Sequence, residues 1–144
     1  MKRITGFPTR PNICLLYTSK ILLVQENDGL WSLPGGWIDV LETIHSNTIK
    51  EVREEAGLNV KPTFIIAIHE QHKRNFPPFA HPVLKTFVMC EPLSGEFQPN
   101  SETVQSAYFA LNELPPMNEE KNTPAQVELC FLAYHSSHWT TQFD

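Results

Sequence analysis

The segment from Thr43 to Leu58 constrains the fold most strongly, because it predicts one amphipathic helix with defined ends. Thr43 is a suitable N-cap, and Gly57 is a suitable residue to end the helix. Ser46 stands where a capping box would have Glu or Gln, so we expect no capping box. The apolar residues share one arc that we expect to pack against a sheet: Ile49, Val52 and Ala56, with His45 among them.

Three glutamates, Glu51, Glu54 and Glu55, crowd onto a second arc near the C-terminal end of the same helix. Like charges at this spacing disfavour one another, and the helix dipole disfavours negative charge at this end. One interpretation is a solvated charged face. The placement against the dipole, with the flexible pair Gly35 and Gly36 upstream to bring backbone carbonyls close, favours a site for Mg²⁺ or Mn²⁺.

The rest of the chain predicts several strands and a second helix within a single domain covering residues 1–144. Two short apolar runs joined by Thr18 and Ser19 predict a hairpin, and the proline-rich sequence after residue 70 predicts an irregular loop. Successive strands with two substantial helices indicate an α/β (α+β) fold, with a mixed sheet between helices. The expected strands are 12–17, 20–25, 64–69, 83–90 and 103–110, and the expected closing helix is 123–134.

The composition argues against several classes of protein. Hydrophobic residues make up 41% of the chain and charged residues 19%, which is typical of a globular protein. The net charge of −5 argues against a nucleic-acid-binding protein that relies on basic charge. There is no apolar run long enough to span a membrane, and the opening Met1–Asn12 lacks the apolar run of a signal peptide. We therefore expect a cytoplasmic protein without nucleic-acid or membrane partners.

The three cysteines, Cys14, Cys90 and Cys130, lie far apart in the sequence, each among apolar residues. We expect them to be buried free thiols in a reducing compartment. The chain has no CxxC pair, so we do not expect a structural zinc site on thiolates.

The stretch from Gly36 to Leu58, GWIDVLETIHSNTIKEVREEAGL, resembles the box that defines the Nudix family. That box reads Gly, five residues, Glu, seven residues, Arg-Glu, an aliphatic residue, any residue, Glu-Glu, any residue, Gly and an aliphatic residue. The single departure is Lys50 in place of Arg, and the resemblance extends over nearly the whole chain. The matching residues are Gly36, Glu42, Glu51, Val52, Glu54, Glu55, Gly57 and Leu58.

The resemblance implies a fold and an activity. The fold is an α/β/α sandwich, in which the box forms a loop-helix-loop beside a mixed β-sheet. The activity is hydrolysis of the pyrophosphate bond of a nucleoside diphosphate linked to another moiety, with a divalent metal and water. The implied partner is a small-molecule nucleotide such as ADP-ribose, a CDP-alcohol or a nucleotide sugar.

The resemblance also implies roles for residues of the box. Glu51, Glu54 and Glu55 would hold Mg²⁺ or Mn²⁺ together with the backbone carbonyl of Gly35. Glu51 and Glu54 are counted among the catalytic residues, and which glutamate acts as the general base stays open. The structural residues of the box would be Gly36, Glu42 and Gly57.

Lys50 keeps the positive charge of the family's Arg but not its planar fork, which orients a catalytic Glu in the family. We therefore count Lys50 among the catalytic residues and expect a reduced activity at worst, rather than an inactive protein.

Glu102, just before the predicted strand 103–110, is expected to complete the metal site from outside the box. Three helix carboxylates leave one side of a metal ion open, where an acid from a loop can bind it or act as a base. Glu96 is the rival candidate, and a solvated loop acid is the third interpretation.

The loop after residue 70 carries candidates for substrate binding. Lys73 and Arg74 would meet a phosphate or ribose and Phe76 would stack on a base, although a solvated loop is an equal alternative. The chain beyond the box is similar to a bacterial subgroup that acts on ADP-ribose, CDP-alcohols or related compounds. Arg74 stands where ADP-ribose hydrolases often have proline. Those relatives usually carry an extra N-terminal helical domain, which we do not expect here because the first strand comes so early.

Two other functions stay open. One is a house-cleaning nucleoside triphosphate pyrophosphohydrolase, and the other is a non-catalytic Nudix-fold sensor that binds a nucleotide without cleaving it. Sensors tend to lose the carboxylates of the box, which this chain keeps, so the sequence favours a hydrolase. Assembly into a homodimer is also left open.

Overall fold

The computed structural model describes residues 8–144. Residues 1–7 lie outside the described residues. They are the first part of the predicted domain 1–144 and of the opening segment Met1–Asn12. A short 3-10 helix, Leu111–Glu113, follows the last long strand. In chain order the other elements are β1 (Thr9–Tyr17), β2 (Lys20–Glu26), β3 (Trp31–Ser32), α1 (Ile44–Ala56), β4 (Leu58–Glu70), α2 (Gln71–Arg74), β5 (Leu84–Gly95), β6 (Thr103–Phe109), α3 (Pro124–His135) and β7 (Gln142–Phe143).

The strands form one mixed sheet in the order β3-β2-β1-β5-β4-β7, with β6 paired to β2. The central strands β1 and β5 run parallel, from Thr9 opposite Leu84 to Leu15 opposite Cys90. β4 lies antiparallel to β5, while β2 pairs antiparallel with β1, β3 and β6. The predicted hairpin between the first two strands is confirmed, and so is the mixed character of the sheet.

Helices cover both faces of the sheet, because side chains alternate from one face to the other along a strand. Ile13 and Leu15 of β1 share a buried cluster with residues of α1. Cys14 and Leu16, on the opposite face, share another cluster with residues of α3. The predicted α/β/α sandwich is confirmed. None of the described helices is both long enough and apolar enough to cross a membrane.

β4 is much longer than the predicted strand 64–69. It starts at Leu58, directly after α1, and passes through Pro62. Its pairing with β5 shifts register at Pro62 and at two other places. Such a bulge accommodates a proline, which lacks the N–H that a regular ladder needs. Because of this proline, the sequence did not predict the first half of the strand. The loop predicted after residue 70 also differs, since it begins with the single helical turn α2.

The helix α1 begins and ends where the sequence predicts. The Thr43 side chain accepts a hydrogen bond from the Ser46 N–H, and Gly57 ends the helix with a left-handed backbone. The prediction that no capping box forms was wrong, because the Ser46 hydroxyl accepts a hydrogen bond from the Thr43 N–H as a Glu would. The prediction for His45 was also wrong, since this side chain is exposed and does not belong to the buried face.

Cys14 and Cys130 form a disulfide, with their Cα atoms 6.0 Å apart. The prediction of free thiols was therefore wrong for these two residues and correct for Cys90, which is buried and free. Burial raises the pKa of the Cys90 thiol to about 12. The sequence could not reveal the pair, because the two cysteines lie 116 residues apart and meet only when α3 packs on β1.

We expect any side chain at Gly57 to destabilise the fold. Its φ is +70°, and a Cβ there would lie 2.2 Å from the carbonyl oxygen of Glu96. Gly29 has a comparable φ of +84°, but a Cβ there would meet only the Gln25 side chain, at 3.9 Å. We expect Gly29→Ala to lower the free energy of unfolding by about 1 kcal/mol, from backbone strain alone. Gly57→Ala should cost roughly twice that or more, because the clash adds to the strain.

Urea unfolding followed by circular dichroism measures both changes, with Gly29→Ala as the matched control. Equal losses in the two variants would contradict the idea that the close carbonyl constrains the exit from α1.

Candidate active site

A cleft of about 610 Å³ is lined by β1, by the turn at residues 35–36, by α1 and by the segment before β6. All the acids predicted to bind metal line this cleft, namely Glu51, Glu54 and Glu55 of α1 and Glu102 from outside the box. The fold therefore brings together residues that the sequence places in two distant segments.

Glu51 and Glu55 are buried, each with 8% of its surface exposed. Glu55 accepts a hydrogen bond from the Gly35 N–H at 3.0 Å. The Glu51 carboxylate lies against Gly36, where an added Cβ would be only 2.8 Å from its Oε2 atom. Gly36 thus provides the space in which the Glu51 carboxylate fits, and a side chain there would displace Glu51, while Gly35 holds Glu55 through its N–H group.

The environment of these two acids disfavours their ionised forms. Burial is the main cause that raises the pKa of Glu55 to about 8, and the charge of Glu51 raises it further. Burial likewise raises the pKa of Glu51 to about 7, with an additional contribution from Glu54. A cation bound between the acids would reverse this effect, because an opposite charge stabilises a carboxylate. The site is therefore electrostatically suited to a cation.

Glu54 differs from the other two box acids because its side chain is largely exposed. It lies 3.5 Å from the Lys50 ammonium, which also pairs with Asp39 in the loop before α1. The hydrogen bond with Asp39 is the main reason that the pKa of Lys50 is raised. Lys50 thus joins the loop before α1 to the exposed edge of the acidic face; its catalytic role stays a prediction.

Polar groups of α1 hold the loop between Gly36 and the helix. The buried side chain of Asn47 accepts a hydrogen bond from the Asp39 N–H at 3.2 Å and donates one to the Trp37 carbonyl at 3.3 Å. Glu42 accepts a hydrogen bond from the Ser46 hydroxyl at the start of the helix. Glu42 therefore contacts the helix start rather than the cleft, and its role within the box stays a prediction.

Glu102 lies at the cleft because the first residue of β6 and the segment before it are hydrogen-bonded to the end of α1. The Thr103 hydroxyl donates a hydrogen bond to the Glu55 carbonyl at 2.7 Å, and the Asn100 side chain donates to the same oxygen at 3.2 Å. The charge of Glu102 is near enough to raise the pKa values of both Glu51 and Glu55. Its carboxylate consequently belongs to the same electrostatic cluster as the box acids.

Arg10 and Trp37 line the cleft and were missed by the sequence analysis. The Arg10 guanidinium lies over the Trp37 ring, with its Cζ atom 5.3 Å from the ring centre. Burial lowers the pKa of Arg10, while the charges of Glu55 and Glu26 oppose this effect. Arg10 therefore adds a positive charge to a mostly acidic cleft. No pattern marked it, because an arginine before an apolar strand is ordinary.

The predicted substrate-binding residues lie elsewhere. Lys73 pairs with Glu70 at 2.9 Å, Arg74 pairs with Asp144 at 2.5 Å, and Phe76 is 80% exposed. None of the three predicted residues lines the cleft that holds the acids. Their contact with substrate stays a prediction.

The donor set of the cleft fits a hard divalent cation, because carboxylate oxygens are the ligands that Mg²⁺ and Mn²⁺ prefer. The absence of a side chain at Gly36 leaves the space that the Glu51 carboxylate occupies, and burial raises the pKa of that carboxylate. Within residues 8–144, no three acidic, histidine or cysteine side chains already converge closely enough to hold an ion. The acids thus line one cleft without converging on a single point.

Comparison with known proteins identifies the family. A family model described as the NUDIX domain matches residues 8–129. The crystal structure of an ADP-ribose pyrophosphatase from Streptococcus suis 89-1591 is similar over 96% of this chain and 100% of that chain, with a TM-score of 0.91 and 50% sequence identity.

Two curated relatives are also similar. YjhB of Bacillus subtilis, provisionally named an ADP-ribose pyrophosphatase, is 36% identical over 127 residues, which are 88% of this chain and 61% of that protein. The ADP-ribose pyrophosphatase of Methanocaldococcus jannaschii is 27% identical over 103 residues, 69% of this chain and 59% of that protein. The chain thus spans about three fifths of the length of these relatives. Because the family model covers most of the chain, the predicted family is confirmed, and the chain belongs to the Nudix family.

Proposed function

We propose that this chain hydrolyses the pyrophosphate bond of a nucleoside diphosphate linked to another moiety, in a reaction that requires a divalent cation. The observation that carries the proposal is the burial of Glu51 and Glu55 side by side against Gly35 and Gly36. Two carboxylates with raised pKa values are costly to keep in a fold unless a cation uses them.

The residues that would hold Mg²⁺ or Mn²⁺ are Glu51, Glu54 and Glu55, with the carbonyl of Gly35. The ion would neutralise part of the substrate's diphosphate charge and lower the pKa of a water molecule. Glu51 or Glu54 would accept the proton of the attacking water, since both carboxylates line the cleft.

Arg10 would bind a phosphate group of the substrate, which the carboxylates of α1 repel. Its guanidinium is the natural partner of a phosphate, because its planar N–H groups match two phosphate oxygens. The contact with the Trp37 ring restricts where the guanidinium can lie within the cleft. The cleft would therefore hold a diphosphate between carboxylates that bind a cation on one side and an arginine on the other.

ADP-ribose is the first candidate substrate, because the similar proteins from Streptococcus suis and Methanocaldococcus jannaschii carry the name ADP-ribose pyrophosphatase. Water would attack one phosphorus atom, the bridging oxygen would leave with the other phosphate, and the products would be AMP and ribose 5-phosphate. Homodimer formation and a cytoplasmic location stay predictions from the sequence.

A substrate panel tests the proposal. We expect the protein with Mg²⁺ or Mn²⁺ to convert ADP-ribose to AMP and ribose 5-phosphate, measured by chromatography, and to act more slowly on CDP-choline, nucleotide sugars and deoxynucleoside triphosphates. Faster release of pyrophosphate from the triphosphates would favour a house-cleaning enzyme instead. Binding of these nucleotides without any product would favour a sensor.

Glu55→Gln tests the metal assignment without relying on activity alone. Above about pH 8, where the Glu55 carboxyl is ionised, the change removes a buried charge, so the metal-free variant should melt at the same temperature as the wild type or higher. The wild type should gain melting temperature when Mn²⁺ is added, since a ligand of the native state stabilises it, and the variant should gain less. Turnover should fall roughly 100-fold or more. An undiminished response to Mn²⁺ would contradict the assignment.

Glu102→Gln tests the acid outside the box, and Glu96→Gln is its matched control. Glu96 does not line the cleft, and its backbone carbonyl packs against Gly57 instead. We expect Glu102→Gln to lower kcat by roughly tenfold or more with an unchanged melting temperature, while Glu96→Gln changes kcat by less than about twofold. If steady-state assays show a larger loss of kcat in Glu96→Gln than in Glu102→Gln, the assignment of this role to Glu102 is wrong.

A further inference from the structure

Lys85 is the second residue of β5 and is completely buried, with none of its surface exposed. It lies in register with Arg10 of β1 on one side and with His69 of β4 on the other. No Asp or Glu of residues 8–144 pairs with its ammonium, whose single hydrogen-bond acceptor is the Asn12 side-chain oxygen at 3.4 Å. A buried lysine without a carboxylate is costly, so its presence calls for an explanation.

The same Asn12 oxygen accepts a second hydrogen bond, from the side-chain amide of Asn122 at 3.0 Å. Asn122 in turn accepts a hydrogen bond from the Leu33 N–H at 2.8 Å. Both asparagines are almost fully buried, and both line the cleft. A continuous chain of polar contacts thus runs from Lys85 through two amide side chains to the segment just before the Gly35-Gly36 turn.

The turn itself lies on β1 beside this network. The Ile13 N–H donates to the Pro34 carbonyl at 2.8 Å, and Asn12 and Gly35 form an isolated β-bridge. A Cβ on Gly35 would lie 2.3 Å from the Pro11 carbonyl oxygen, which shows how closely the two backbones approach. From this position the Gly35 N–H reaches Glu55.

We propose that Lys85 is a positioning residue, which orients the Asn12 and Asn122 amides and thereby holds the Leu33–Gly36 turn against the acidic face of α1. The Asn12 amide N–H donates to the Arg10 carbonyl at 2.8 Å, which turns its oxygen toward Lys85. The Lys85 ammonium holds that orientation, because the oxygen of an amide can accept from a cation and its N–H group cannot. Asn122 must then present its own oxygen to Leu33, because its N–H group is used on Asn12. This role deepens the proposed hydrolase function, on which its catalytic consequence rests.

The electrostatics agree with this assignment. Burial lowers the pKa of Lys85 to about 7, with further lowering from Arg10 and Lys121 and an opposing effect of Glu120. An apolar residue of the same shape would avoid this cost, so a simple space-filling role would favour methionine at this position. A purely structural role therefore favours methionine at position 85, whereas a positioning role requires lysine. Comparing the two residues by mutation distinguishes the roles.

Lys85→Met retains most of the side-chain volume and removes the donor. We expect its metal-free melting temperature to equal or exceed that of the wild type. Hydrogen exchange of the Leu33 and Gly35 amides should nevertheless accelerate by roughly tenfold, because their positions are less well held. Mn²⁺ affinity and kcat should both fall, with a smaller effect on KM. Met89→Leu, a volume-conserving change at another buried position of β5, should leave the exchange of both amides unchanged.

A double-mutant cycle shows whether Lys85 acts through the asparagines. In the Asn122→Ala background the chain of contacts is already broken, so adding Lys85→Met should cause no further acceleration at Gly35. If Lys85→Met does not fold, Lys85→Leu, which also lacks a donor, takes its place in the same comparison. Unchanged exchange at both amides, or faster exchange throughout the sheet, would overturn the proposal in favour of a purely structural role.

These readouts separate the inference from the proposed function. Amide exchange and Mn²⁺ affinity need no substrate, so local loss of protection in Lys85→Met supports the positioning role even if the substrate panel shows no hydrolysis. Hydrolysis by a Lys85→Met protein with normal exchange would support the function and overturn the positioning role.

Discussion

The burial of two carboxylates, Glu51 and Glu55, against a turn without side chains is the constraint on which the site depends. Their charges are disfavoured by burial, by each other and by the end of the helix that carries them. The fold accommodates them because Gly36 leaves the space for one carboxylate and the Gly35 N–H donates to the other. Stability is given up locally, and the result is an acidic cleft that is electrostatically suited to a cation.

Several independent contacts keep this arrangement in place. The Thr43 and Ser46 pair fixes the start of α1, and Gly57 fixes its exit into β4. Asn100 and Thr103 bind the last turn of the helix and thereby bring Glu102 to the cleft. These contacts come from separate parts of the sequence, so the acidic face is held at both ends and from the side.

Local signals predicted much of this molecule correctly. The hairpin, the ends of α1, the later strands and the closing helix follow from alternation, capping residues and glycine, which act over a few residues. The spacing of the box identified the family, which the family comparison confirmed. Predictions failed where a local rule was too narrow: the Ser46 hydroxyl completed a capping box, and a bulge carried β4 through Pro62.

The sequence by itself determined which acids lie together, because Glu51, Glu54 and Glu55 share one helix and helical geometry fixes their spacing. Only the tertiary structure decided that two of them are buried and one is exposed, since that depends on how α1 rests on the sheet. It also decided the Cys14–Cys130 pair, the meeting of Arg10 with Trp37 and the contact of Lys85 with Asn12. Each of these joins residues far apart in the chain, and no local pattern encodes such a contact.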